Sequence, residues 1–151
     1  MDASRLDFDP SGTWLAIAGP GGLAEIREVE SGARVAVLGG PSGGFTDIAF
    51  SPDGSRVATA GNDGTVRLFE AATGAQQLVL RCSGCAVQGV DFSPDGTKLA
   101  STSWCDGVRI WALDIDDLLE IAHREVPRSL TDEECRRYLN LDRCYPTMPS
   151  G

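Results

Sequence analysis

The amino-acid sequence predicts an all-β chain built from tandem copies of one small unit, and three observations carry that expectation. The first is a stride of 42 residues, which separates Phe8, Phe50 and Phe92, Pro10, Pro52 and Pro94, and Gly12, Gly54 and Gly96. Apolar positions keep the same spacing in the sets Leu6/Ile48/Val90, Leu15/Val57/Leu99, Ala16/Ala58/Ala100 and Ile26/Leu68/Ile110, and Gly32 matches Gly74. The second is a shared turn, DPSG in the first copy and SPDG in the next two. There proline presets φ, and Asp and Gly complete a type I turn. The third is a total of 18 glycines in 151 residues, well above the usual ~7%, which implies many turns.

Within one period the pattern is four short strands. Residues 45–50 alternate and end in Phe50; after the turn, residues 55–60 are small and branched. Asn62-Asp63-Gly64 is a tight hairpin signal. Residues 65–70, TVRLFE, alternate in and out, Thr73-Gly74 turns the chain, and residues 76–80 close the unit. The first copy places its strands near 4–8, 13–18, 23–28 and 34–38, and the third near 87–92, 97–102 and 107–112. Four strands every ~40–45 residues is the period of a propeller blade.

The residues then resemble a known family. FSPDG at Phe50–Gly54 and Phe92–Gly96, NDGTVRLF at Asn62–Phe69 and DGVRIW at Asp106–Trp111 are similar to WD repeats, over roughly residues 4–113. The resemblance implies a partial beta-propeller of about three four-stranded blades, near 4–44, 45–86 and 87–113, with the last lacking its outer strand. Departures are visible. Leu38-Gly39-Gly40 and Arg81-Cys82-Ser83 stand where the family's Gly-His falls, and Arg27 replaces the third-strand aromatic seen as Phe69 and Trp111. The family's Asp–His–Ser–Trp hydrogen-bond network is therefore expected to be absent.

No fourth strand is expected after the third copy. Residues 114–151 are expected to form a short helical C-terminal tail. Ile115, Leu118, Leu119 and Ala122 fall on one helical stripe, and Thr131 with Glu134 makes a capping box. The tail also resembles the segment after the last blade in bacterial WD-repeat proteins. Three blades leave two apolar faces open, because rings hold 4–8. Three routes remain: the C-terminal part of a larger bacterial signalling or regulatory protein, a self-associating module that closes a ring by oligomerisation, or an open arc.

Composition narrows the function. The formal charge is −9, against nucleic acid as main partner, since phosphate binding needs clustered cations. No apolar run approaches the ~20 residues of a membrane helix, and Met1–Pro10 lacks a leader's basic and apolar regions. A cytoplasmic chain without membrane contact is expected. The single histidine, His123, removes most metalloenzyme and triad arrangements. Gly40-Pro41-Ser42-Gly43-Gly44 matches GxSxG in letters, but it sits in a blade-linking loop rather than a strand-to-helix elbow. Cys82 and Cys85 form a CxxC that converges with Cys105 on one loop face; with Asp106 they are short of a convincing zinc set. They are read mainly as inert thiols, with a loop disulfide as the lesser alternative. Cys135 and Cys144 are a possible disulfide in the tail.

These observations predict no catalytic residue, no metal and no cofactor. The expected function is a non-catalytic scaffold that binds a protein partner through loops held on rigid strands. Trp104, at a hairpin tip where no core position falls, is the leading contact residue, with Asp106 and Asp63 as further contact candidates; the alternative is that Trp104 covers the neighbouring loop. A propeller accessory to a separate catalytic module is the alternative of a different class.

Overall fold

In the computed structural model the described residues are 5–19, 21–41, 43–82 and 84–113. Among them the secondary structure is all β, in three antiparallel sheets. The first sheet runs β1 (Arg5–Phe8), β2 (Trp14–Ala18), β3 (Leu23–Glu28), β4 (Arg34–Gly39). The second runs β5 (Phe45–Phe50), β6 (Arg56–Gly61), β7 (Thr65–Glu70), β8 (Gln76–Arg81). The third holds β9 (Val87–Phe92), β10 (Lys98–Ser103) and β11 (Gly107–Ala112). Each sheet is a meander in sequence order. The strands match the expected spans to within a residue or two at their ends. The helical tail, its capping box, His123 and the Cys135–Cys144 pairing lie outside the described residues.

The turns show how the repeat works chemically. In the second sheet the Ser51 hydroxyl accepts from the Arg56 amide at 2.9 Å, and the Asp53 carboxylate accepts from the Ser55 amide at 3.0 Å. Ser93 and Asp95 repeat both bonds to Lys98 and Thr97 at 2.9 and 3.0 Å. In the first turn the two residue types are exchanged, and so are their tasks. Asp9 takes the Trp14 amide at 2.6 Å, and Ser11 takes the Thr13 amide at 3.3 Å. Either order satisfies the same donors, so DPSG and SPDG build one turn.

Those bonds shift acidities. The Ser51 hydroxyl first, then the Ser55 amide and hydroxyl, lower Asp53 to about 2. Ser93 first, then Thr97, lower Asp95 to about 2. At Asp9 burial opposes ionisation, yet hydrogen bonds from Ser11 and Trp14 outweigh it and hold the carboxyl below its ordinary range. A carboxyl whose folded pKa is depressed stabilises the fold above the unfolded pKa, and the gain is lost as pH falls through the folded value. Stability is therefore expected to fall between about pH 4 and about pH 2. The double variant Asp53→Asn, Asp95→Asn should show a flatter decline in urea midpoints over that range.

Sheet packing follows from strand alternation, because neighbouring residues point to opposite faces. Ala16, Ala18, Ala24 and Ile26 of the first sheet meet Ile48, Phe50, Val57 and Phe69 of the second. On its other face the second sheet presents Ala49, Ala58, Ala60, Val66 and Leu68 to Val87, Val90, Phe92 and Leu99 of the third. A small-residue face thus meets a large-residue face twice, which is how close packing fills without overlap. The first strands line up side by side, β1 against β5 and β5 against β9. Bonds between sheets fix this order. The Phe50 amide donates to Asp7 at 2.7 Å, the Val90 amide donates to Asp47 at 3.0 Å, and Arg56 donates to the Gly96 carbonyl at 3.2 Å.

Candidate functional site

Three loops come together at one end of the second and third sheets. The hairpin joining β6 to β7 carries Asp63, the segment joining β8 to β9 carries Cys82 and Cys85, and the hairpin joining β10 to β11 carries Trp104, Cys105 and Asp106. They are joined in series. The Cys82 amide donates to the Gly64 carbonyl at 2.9 Å. Gly64 has φ +77°, and a Cβ there would lie 3.0 Å from the Cys85 carbonyl, so the hairpin and segment touch through backbone. Cys85 is then bonded to Cys105 as a disulfide, with Cα atoms 5.9 Å apart.

That bond corrects the main expectation for the cysteines, that all three are inert thiols. Cys85 reaches Cys105 across a separation of 20 residues, not Cys82 of its own CxxC. The physical reason is the strand pairing: β9 runs out and β10 returns, so the end of the linking segment meets the hairpin tip. A disulfide sulfur is no thiolate ligand, and among the described residues no cluster of three or more His, Cys, Asp and Glu could hold a metal ion. Cys82 is the free cysteine among the described residues and packs half-buried against the core between second and third sheets.

The three candidate contact residues have different surroundings. Trp104 is 85% exposed, the most exposed of the large apolar side chains described. Asp63 is occupied within its own hairpin: its carboxylate accepts from the Thr65 amide at 3.0 Å and hydroxyl at 2.6 Å, and pairs with Arg67 at 2.9 Å. Asp106 pairs with Arg109 at 3.3 Å, and its amide donates to Ser103 at 3.1 Å. Both aspartates shape the loops at the end from which Trp104 projects.

Two features were missed from sequence. Arg67, besides holding Asp63, donates to the Gly40 carbonyl at 3.2 Å and so ties the hairpin to the preceding blade-linking segment. The recurring Asp-Gly-x-x-Arg or Asp-Gly-x-Arg spacing at 63–67 and 106–109 was the available signal. Second, part of the hydrogen-bond network expected to be absent is present. Trp111 Nε1 donates to Ser101 Oγ at 2.8 Å, and Cys82 Sγ lies 4.0 Å from the same hydroxyl. Losing the histidine removes the middle of the network and leaves its serine–tryptophan limb. The GxSxG letters lie between two strands, β4 and β5, which is not an elbow's context.

Sheets of one repeat, stacked face to face and carrying loops on a common end, define a blade-repeat protein. The chain belongs to the WD-repeat family: the family model described as WD domain, G-beta repeat, matches residues 32–70 and 74–112, about half of the chain. Domains of this family are in general non-catalytic scaffolds for protein binding. No curated protein matches the chain.

Proposed function

We propose that this chain is a protein-interaction scaffold whose contact centre is Trp104, and that its blades serve a larger bacterial signalling or regulatory protein. The observation that supports the reading is an exposed tryptophan next to a cross-linked residue. Trp104 precedes Cys105, whose bond to Cys85 limits what the hairpin can do. A large aromatic held at low entropic cost is the kind of side chain that dominates binding energy. Its partner is a protein surface with an apolar pocket for an indole. Beside it, Asp63 and Asp106 are engaged by Arg67 and Arg109, which holds the loops around the indole in shape.

The test is quantitative affinity capture from the cells of origin with wild type and Trp104→Ala. Truncating a binding hot spot costs about 2 kcal/mol or more, so capture should weaken by a factor of about 30. The melting temperature should stay unchanged, because the side chain is not in either core. Capture that survives the substitution would overturn the reading; loss of capture together with a lower melting temperature would assign Trp104 to packing.

A further inference from the structure

The stack of described sheets ends on two unlike faces, and each is the counterpart of a face already buried inside it. On the open side of the first sheet, Leu6, Phe8 and Leu15 occupy the positions of Ile48, Phe50 and Val57, one stride of 42 earlier. The latter three are buried against the first sheet's alanines. Leu6 and Phe8 are 61% and 52% exposed. On the open side of the third sheet, Ala100, Thr102, Val108 and Ile110 occupy the positions of Ala58, Ala60, Val66 and Leu68, one stride later. Those four positions of the second sheet are buried, whereas Val108 and Ile110 are 67% and 62% exposed.

The polar register matches as well. Asp7 of the first sheet receives the Phe50 amide of the second at 2.7 Å. Asp91 stands two strides after Asp7, and Phe8 stands one stride before Phe50. The third sheet therefore offers the acceptor, and the first offers the donor, of the bond that joins the first sheet to the second. Among the described residues no side-chain hydrogen bond or ion pair occupies the Asp91 carboxylate.

We propose that two copies of this chain associate head to tail, the third sheet of each packing on the first sheet of the other, to close a ring of six blades. Six lies within the 4–8 blades that close a propeller. A cyclic pair covers both open faces of both copies with one kind of contact, repeated twice. This contact is separate from the loop end that carries Trp104, so the ring and the Trp104 contact stand or fall independently, while further blades of a larger protein are the competing occupant of the two faces.

Light scattering of the full chain, with variants at the two faces, tests this. Wild type is expected at twice the 16.0 kDa chain mass. Phe8→Asp and Ile110→Asp should each run at the mass of one chain, and an equimolar mixture of the two should return to twice that mass. The mixture retains one intact contact, third sheet of the Phe8→Asp copy on first sheet of the Ile110→Asp copy, and its recovery also shows that both variants are folded. A wild type that stays at the mass of one chain at tens of micromolar would overturn the proposal and assign the faces to residues 114–151 or to further blades. Dissociation by only one substitution would overturn it too, since that is the signature of like faces pairing. A mixture that remains dissociated does the same.

Discussion

Phe69→Ala is expected to lower the stability of the chain by about 3–5 kcal/mol, the range for truncating a large aromatic in a packed core. Phe69 is 1% exposed and sits among Ala16, Ala24, Ile26 and Val57, between the first and second sheets. The small residues opposite it cannot lengthen to fill the space. The rigid meander on each side resists collapse, so both the transfer and cavity contributions should appear. Folded domains are stable by only about 5–15 kcal/mol, so the loss removes a large fraction of the total. Urea denaturation followed by circular dichroism measures it; Leu78→Ala, on the last strand of the same sheet and 40% exposed, is the control with a much smaller expected effect.

The second large effect is expected at Gly74→Ala, with a loss of more than about 2 kcal/mol in the same assay. Gly74 has φ +73°, in the left-handed region that costs an L-residue about 1–2 kcal/mol. A Cβ there would lie 2.6 Å from the Val37 carbonyl of the first sheet. Backbone on the receiving side cannot rotate away as a side chain can, so the two sheets must separate locally. Gly32→Ala isolates the conformational part, because Gly32 has φ +67° and open space around it. The difference between the two variants measures how tightly the first and second sheets approach.

What was legible in the sequence was whatever one strand or turn decides alone. The FSPDG turn, the alternation of TVRLFE and the glycine after Asn62-Asp63 fix local geometry, so the strands fell where expected. The apolar set at one stride marked the buried faces of the second sheet for the same reason, while its members Leu6 and Ile110 on the first and third sheets are 61% and 62% exposed. Contacts made between separate loops were legible only in part: the sequence placed Cys82, Cys85 and Cys105 on one loop face and left a disulfide as the lesser alternative, without saying which of them pair. Cys85 is three residues from Cys82 and 20 from Cys105, and only the antiparallel return of β10 makes the distant one its partner. Arg67 was readable as a strand residue, while its bond to Gly40 depends on how the preceding loop folds back. The serine–tryptophan bond survived the loss of histidine because Ser101 and Trp111 meet within one hairpin pair, β10 and β11, whose geometry the histidine does not set.

The Cys85–Cys105 bond also acts on alignment. In a flat antiparallel ribbon, sliding one strand by a single residue sends every inward side chain outward. β10 shifts register against β9 near Thr102 and Ser103, at the end where the bond lies. A covalent clasp at that end bars the slide, so Leu99 keeps facing the second sheet, and Ser101 stays buried, at the end of the sheet where β9 and β10 are least regularly paired.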